Sequence, residues 1–462
     1  MYLALFLTLA CGGRADSPAK GAPAPKEAPA KKPSPAKKGP ASNGDERVVV
    51  ILLDDVGLDR MEGWGLPGNV APTPHMDALA AQGTRFTSAY TYPSCSPTRA
   101  ALLTGRHTRR YGLGSALKWD KYAYELPEEE VLIPEMLAAA GFDSSVVGKW
   151  HLNTDEADNV NSHPNRQGFG YFAGVMSNVG FHRFDKVIQG KSKRVEDVYL
   201  TTDTTNDAIA RAKAMKGNWF LYVAYNAIHV PNHKPPKGLH DYDLKGAPDK
   251  EMNLAMLQAL DKEVGRLVAT LDLSTTTVIV MGDNGTDKVN VHPPYDPARA
   301  KSTTFDGGVH VPMFVVGKRA PKPGTTSDAW VHILDVFPTI AEWAGVDLAR
   351  VQRRGEPLQL DGISFDKNLK DPSLGDQRQV MVHDRFRRNG APPYVFWELA
   401  IQTRKHKFVR NKDTGERFYA LSGEQPDPDG PDLLASGKAP TKMVDRLKNE
   451  LDAWEKRVAY EY

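Results

Sequence analysis

Cys95 and Arg99 lie four residues apart in Pro93-Ser94-Cys95-Ser96-Pro97-Thr98-Arg99-Ala100-Ala101-Leu102-Leu103-Thr104-Gly105-Arg106. Pro97 fits the first turn of a helix, where its missing N–H costs nothing, and Ser94 or Ser96 can cap that turn. Ala100 to Leu103 are good helix formers, which puts Cys95 at the helix N-terminus. The free N–H groups and positive dipole end there attract anions. Arg99, one turn further in, adds a permanent cation whose forked donors suit a tetrahedral oxyanion. This is chemistry for holding a sulfate or phosphate group beside a modifiable thiol. For either residue alone, the plainer reading is an inert buried cysteine or a surface arginine.

Four further stretches place polar groups directly after apolar, strand-like runs. Residues 47–53 form a continuous β-branched and aliphatic run, the pattern of a buried parallel strand, and end in Asp54-Asp55. Adjacent carboxylates repel and are costly to bury, and a hard divalent ion relieves both problems. Residues 142–147 lead into Gly148-Lys149-Trp150-His151-Leu152. Two apart on an extended backbone, Lys149 and His151 are expected on one side, within reach of one anion. Residues 219–225 precede Asn226-Ala227-Ile228-His229, and an imidazole titrates near neutral pH, as a general acid must. Residues 275–281 end in Gly282-Asp283-Asn284-Gly285, whose side-chain oxygens are hard ligands able to complete the cation site. Ligand sites of open α/β sheets lie beyond the carboxyl ends of the strands, so these four endings are expected to converge. Helices are expected near residues 74–82, 133–140 and 251–271, the last with Met256, Leu260, Val264 and Leu267 on its core face.

The Cys95 string resembles the sulfatase signature C-x-P-x-R followed by T-G-R, and Gly148 to Leu152 resembles that family's second signature. Residues 73–90, the segment Lys301-Ser302-Thr303-Thr304-Phe305-Asp306-Gly307-Gly308 and residues 333–345 are similar to other family segments in the same order, so the resemblance spans roughly residues 47–460. It implies that a formylglycine-generating enzyme oxidises Cys95 to formylglycine, whose hydrated aldehyde attacks sulfur. A sulfated serine would be a stable ester, whereas a diol hemisulfate collapses to the aldehyde and expels sulfate. It implies calcium, with magnesium as second choice, on Asp54, Asp55, Asp283, Asn284 and the oxygen of modified Cys95. Arg99, Lys149 and Lys301 would neutralise the sulfate, Asp283 activate the nucleophile, and His229 with Lys301 protonate the leaving oxygen. His151 would then remove the second hydroxyl proton. The implied substrate is a sulfated small molecule or glycan, an aryl or carbohydrate sulfate ester, whose alcohol would be selected by variable loops such as residues 152–200 and 286–300. His75, Asp306 and His310 depart from the family's Asn, Glu and Arg. A phosphonate or phosphodiester hydrolase of the same superfamily, or a lipoprotein that binds sulfated glycans with Cys95 unmodified, are the alternative readings.

The implied fold is α/β: a large mixed, mostly parallel sheet flanked by helices over residues 46–371, then a smaller C-terminal subdomain over 372–462. In that subdomain, residues 379–383, 397–403, 407–411 and 418–421 read as short antiparallel strands, closed by a helix with Leu447, Leu451 and Trp454 at helical spacing. His383, Arg385, Arg387 and Arg388 stand at its start and either face the cleft or form a solvated loop.

The 462 residues suffice for a large core, with 40% hydrophobic and 25% charged residues typical of soluble globular chains. Net charge is +2, and residues 14–46 hold seven Lys/Arg against four Asp/Glu. The basic excess is thus in the tail, and the body gives no case for nucleic-acid binding. Residues 1–11 are apolar, too short to span a bilayer and the size of a signal-peptide core. Leu9-Ala10-Cys11-Gly12 resembles a bacterial lipobox, which implies lipidation of Cys11. The protein would then be exported, periplasmic or on the outer surface, touching membrane only through that anchor. Thr8 and the lack of a preceding Lys or Arg depart from the pattern, and an ordinary secretory signal is the other reading. Residues 12–45, rich in Ala, Pro and Lys, read as a disordered tether. Two cysteines, each with another proposed fate, leave no disulfide framework.

Overall fold

A computed structural model describes residues 45–64, 66, 70–117, 124–154, 159–421 and 431–462, all within one compact unit. Cys11 and the leader and tether expected over residues 1–44 lie outside the described residues. Among those described, no helix is long and apolar enough to cross a membrane.

The run at residues 47–53 is strand β1 (Arg47–Leu53), the middle of an 11-stranded sheet. The other strands are β2 (Thr84–Tyr90), β3 (Asp143–Lys149), β4 (Tyr171–Val175), β5 (Arg183–Ile188), β6 (Lys191–Glu196), β7 (Trp219–Ala224), β8 (Thr276–Gly282), β9 (His310–Gly317), β10 (Thr325–Ser327) and β11 (Val331–His332). Their order is β10-β2-β9-β8-β1-β7-β3-β4-β5-β6, with β11 also on β2. The central block β8-β1-β7-β3-β4 is parallel, and β9, β5 and β6 run antiparallel to their neighbours. The four strands that end in polar groups, β8, β1, β7 and β3, are therefore consecutive neighbours.

β1 reads as an unbroken apolar run because both its faces are covered. Val48, Val50 and Leu52 enter one core with residues of the helices Cys95–Thr104, Ile133–Ala138 and Val336–Trp343. Val49, Ile51 and Leu53 enter the other with residues of Pro74–Ala80, Leu200–Ala214 and Asp249–Val268. Each such side chain contributes about 1.5–3 kcal/mol on burial, which anchors the strand whose end carries Asp54 and Asp55.

A two-stranded hairpin, β12 (Gln352–Arg353) with β13 (Glu356–Pro357), precedes the small C-terminal sheet. There β14 (Met381–Arg387), β15 (Phe396–Gln402), β16 (His406–Asn411) and β17 (Gly415–Ala420) pair antiparallel in sequence order. The helix Thr441–Arg457 covers them through Val444, Leu447, Leu451 and Trp454. Lys407 of β16 reaches Asp306 in the main domain at 3.1 Å, so the departure from Glu at 306 still leaves an ion pair. His310 lies 4.0 Å from Asp306, and its Nε2 donates to the Thr87 carbonyl at 2.8 Å.

Two expectations are corrected. Residues 152–200, read as variable loop, contain β4, β5 and β6, which extend the main sheet at its edge. β14 continues to Arg387, so Arg385 and Arg387 do not sit in a solvated loop. Both guanidinium groups stack on Phe396 of the neighbouring strand, at 4.9 and 5.4 Å from the ring centroid, which lets a charged segment pair as a strand.

Gly148 delivers Lys149 to the strand end and leaves no room for a side chain. Its φ is +94°, and a Cβ there would stand 2.0 Å from the Ala224 carbonyl oxygen on β7. Gly148→Ala is expected to destabilise the fold by about 3 kcal/mol or more, at the upper end of single substitutions. A urea unfolding midpoint equal to wild type would show that β3 and β7 are not packed this closely.

Candidate active site

Cys95 is the first residue of the helix Cys95–Thr104, with Ser94 at its cap position and Gly105 in the left-handed conformation (φ +66°) ending it. The Ser94 side chain makes no capping bond. The thiol is buried, with Sγ 3.6 Å from Asp54 Oδ1. Burial pushes the thiol up, but the Lys149 and Lys301 ammonium groups pull harder, and its pKa falls below the ordinary value.

Asp54 and Asp55 follow β1 directly. On a continuing strand their side chains would point to opposite faces. Asp55 instead adopts φ +62°, a left-handed conformation that Asp tolerates better than most residues, and the alternation stops. Asp54 exchanges backbone bonds with the loop after β7: its N–H donates to the Ala227 carbonyl at 3.0 Å, and the Ile228 N–H donates to its carbonyl at 2.6 Å. This holds His229 beside the pair, with Nε2 4.0 Å from Asp55 Oδ2. Ligand atoms of Asp54, Asp55, Cys95 and His229 all lie within 4.8 Å of one another. The end of β8 joins through Asp55: Asp283 Oδ1 accepts from the Asp55 N–H at 3.1 Å, and Asn284 Nδ2 donates to Asp55 Oδ1 at 2.9 Å.

Three cations balance these carboxylates. Arg99 Nη2 lies 2.9 Å from Asp283 Oδ2 and 3.4 Å from Asp54 Oδ2, while Nη1 donates to the Lys149 carbonyl at 3.0 Å. Lys149 Nζ donates to Asp54 Oδ2, and Lys301 Nζ to Asp55 Oδ1. Lys301 is placed by backbone bonds on both sides, its own N–H to the Thr286 carbonyl at 3.1 Å and the Ser302 N–H to the Pro93 carbonyl at 2.8 Å. Asp54, Arg99 and Lys149 have 0% side-chain exposure, whereas His229 keeps 15% and Lys301 10%. A ligand therefore approaches past His229 and Lys301.

The electrostatics are uneven. Burial works to raise Asp54, yet Lys149, His229 and Arg99 overcome it and hold the carboxylate far below its usual range. Asp283 goes the other way: burial and the neighbouring Asp54 and Cys95 push it well up despite Arg99. Two buried acceptors, Asp55 Oδ2 and Asn284 Oδ1, have no hydrogen-bond partner among the described residues. Orphaned hard oxygens beside a carboxylate that is costly to ionise are what a divalent cation would satisfy, so this donor set fits one.

His151 is brought into the same group, by a different route from the one expected. β3 ends at Lys149, and His151 has φ +59°, so the two residues are not on one extended strand. Its Nε2 contacts the Leu117 carbonyl at 2.8 Å and must carry the proton, while Nδ1 has no partner. Burial first, then Lys149, holds its pKa well below the ordinary value, so it is a neutral base. His229 differs: burial and Lys301 lower it, but Asp55 and Asp54 prevail and its pKa is raised. Its Nδ1 contacts the Val230 carbonyl at 2.5 Å, which leaves Nε2 for chemistry. Of the sequence-predicted residues, Cys95, Arg99, Lys149, His229, Lys301, Asp54, Asp55, Asp283 and Asn284 are linked by these contacts. His151 feels the charges of Lys149, Arg99 and Asp54, but its side chain bonds only to Leu117 among the described residues, and Cys11 lies outside them. Sequence reasoning missed the Leu117 carbonyl, for which a backbone oxygen offers no signal.

A family model described as Sulfatase matches residues 46–346. The uncharacterized sulfatase YdeN of Escherichia coli (strain K12) is 27% identical over 375 residues, 74% of this chain and 64% of that protein. N-acetylgalactosamine-6-sulfatase of Sus scrofa is 30% identical over 339 residues, 65% of this chain and 62% of that protein. The chain thus spans slightly under two thirds of the length of these relatives. A crystal structure of Ps i-CgsB in complex with k-i-k-neocarrahexaose has a TM-score of 0.75 at 23% identity, covering 89% of this chain and 92% of that one, a likeness of fold.

The orphaned oxygens predict a stability response to divalent cations. A cation at 100 times its dissociation constant would add about 2.7 kcal/mol. Calcium added to chelator-treated protein is expected to raise the thermal midpoint by several degrees, and Asp55→Asn with Asn284→Ala should abolish the rise. Equal midpoints with and without calcium in the wild type would contradict a cation site here.

Proposed function

The chain belongs to the sulfatase family, and from that premise we propose that it hydrolyses sulfate esters of aryl alcohols or glycans, with Cys95 converted to formylglycine as its nucleophile. The observation that carries the reading is the position of Cys95: a helix N-terminus, 3.6 Å from Asp54, with Lys149, Lys301 and His229 acting on its thiol. Asp54, Asp55, Asp283 and Asn284 would hold calcium, or magnesium as second choice, which would neutralise charge on the reacting oxyanions. The hydrated aldehyde would supply a nucleophile able to return to its carbonyl without water attacking sulfur.

The chain's own residues then divide the work. Arg99, Lys149 and Lys301 orient the sulfate and balance its charge. Asp283, held by Arg99 and the Asp55 N–H, would be ionised with a cation bound and would then accept the proton of the attacking hydroxyl. His229 lies at the more open side with its pKa raised and Nε2 available, and it donates a proton to the departing alcohol oxygen. His151, neutral and with Nδ1 unpartnered, takes the proton whose removal restores the aldehyde. A formylglycine-generating enzyme acts during maturation. Export, with Cys11 as a lipid anchor at the periplasmic or outer surface, completes the proposal, and residues 46–371 and 372–462 serve as its catalytic part and C-terminal subdomain.

Protein co-produced with a formylglycine-generating enzyme is expected to release sulfate from 4-nitrophenyl sulfate and from sulfated glycans, and Cys95→Ala should not. Faster turnover of bis(4-nitrophenyl) phosphate than of any sulfate ester, or undiminished sulfate release by Cys95→Ala, would overturn the reading.

The proton roles make a second prediction. His229→Gln should slow glycan sulfate hydrolysis by about 10²- to 10⁴-fold but 4-nitrophenyl sulfate far less, since nitrophenolate leaves without a proton. With His229 as an acid of raised pKa, glycan turnover falls as pH rises through that pKa, and the variant should lose this alkaline limb. Equal loss on both substrates, with the limb retained, would remove His229 from this role.

A further inference from the structure

We propose that a cavity of about 410 Å³ beside Cys95 is a subsite for a second anionic group, a sulfate or a carboxylate, on the glycan whose first sulfate reaches Cys95. The proposal rests on the sulfate-ester reading above. The cavity shares Ser94 and Lys301 with the active site and is lined on its far wall by Arg385, Arg387 and Arg388. Among the described residues, no Asp or Glu lines it. Its volume lies in the usual range for small-molecule pockets, about 300–1,000 Å³.

Arg385 and Arg387 stand two apart on β14 and so share one face, while Phe386 between them turns into the protein and is fully buried. Arg99, Arg106, Arg109 and Arg110 each sit on a carboxylate, of Asp283, Glu130, Asp384 and Asp361, and the fully buried Arg60 donates to Asn253 and the Asn290 carbonyl, whereas Arg385 is half-buried and Arg387 exposed. Among the described residues, neither Arg385 nor Arg387 has a carboxylate within 4.0 Å. Glu398 lies directly across from Arg385 on β15, but its oxygens accept from Thr304 and Asn411 instead. Burial, and the second guanidinium of Arg387, make the Arg385 charge harder to hold. Two adjacent cations with no carboxylate in contact among the described residues, on the wall of a cavity that also touches Ser94 and Lys301, fit an anion from outside the chain.

The wall is also held in place before any ligand arrives. Both guanidinium carbons lie over the Phe396 ring, a contact that restrains them without using an N–H donor. Asn389 pins the turn after β14, its Oδ1 accepting from the N–H groups of Gly114 and Ser115, each at 3.0 Å. The Gly390 N–H adds a bond to the Gly112 carbonyl at 2.7 Å. Less ordering is then needed on binding, which favours affinity.

Titration calorimetry on Cys95→Ala protein, which leaves ligand intact, tests this directly. The probes are three chondroitin disaccharides: 6-sulfated, 4,6-disulfated, and 6-sulfated with its uronate carboxyl reduced to the alcohol. A second anion met by an arginine fork is expected to tighten binding about ten- to hundredfold over the reduced disaccharide. A gain in the disulfate identifies sulfate as the second group, and a gain in the uronate form identifies the carboxylate. Arg385→Ala with Arg387→Ala should erase the difference while the protein still unfolds in one cooperative thermal transition, and Lys at both positions should restore part of it. Equal or undetectable binding of all three, or discrimination that survives the alanine pair, would overturn the subsite. Sulfate release from 4-nitrophenyl sulfate by wild type is scored separately: release without discrimination defeats the subsite alone, and discrimination without release defeats the hydrolase alone.

Discussion

Burying Asp54, Asp55 and Asp283 in one cluster is the constraint on which the rest of this structure depends. Carboxylates removed from water tolerate their charge only when cations and donors surround them, and losing one partner of a buried pair typically costs about 3–5 kcal/mol. The three cations that answer them come from separate places: Arg99 from a helix, Lys149 from the end of β3 and Lys301 from the loop before β9. None can be supplied by local sequence. The cluster therefore forms only once the sheet is assembled, and the same charges then act on the thiol of Cys95.

The sheet meets this demand through its strand order. β8, β1, β7 and β3 lie side by side and parallel, so their carboxyl ends deliver Asp283, Asp54, the His229 loop and Lys149 to one edge. Both faces of these strands are packed by helices, and that packing holds an otherwise repulsive edge together. The C-terminal sheet is tied to the main domain by Lys407 on Asp306 and by Asn389 on the 114–115 backbone. Those ties carry Arg385 and Arg387 to the wall of the cavity that also touches Ser94 and Lys301.

How much of this was legible in the sequence follows from what each residue depends on. β1, β7 and β8 were readable because burial on both faces demands unbroken apolar runs, and the polar groups that end them could be read as a converging site. β5 and β6 were not: β6 is almost wholly exposed and its Lys-Ser-Lys-Arg-Val-Glu carries no apolar period. The extension of β14 was missed because its support, Phe396, lies on the next strand. Asp55 and His151 both take left-handed conformations without being glycine, so an argument from strand alternation could not place the His151 side chain. The family resemblance supplied Lys301, which no pattern of spacing would have singled out.

The central claim is that Cys95 is a modified nucleophile rather than a structural thiol. Mass spectrometry of the tryptic peptide carrying Cys95, taken from active protein and repeated after hydrazide trapping, tests it most directly. The account predicts a residue-95 aldehyde that reacts with the hydrazide, in an amount that rises and falls with sulfate-releasing activity across preparations. A residue-95 thiol intact in every molecule of a preparation that still releases sulfate would contradict it.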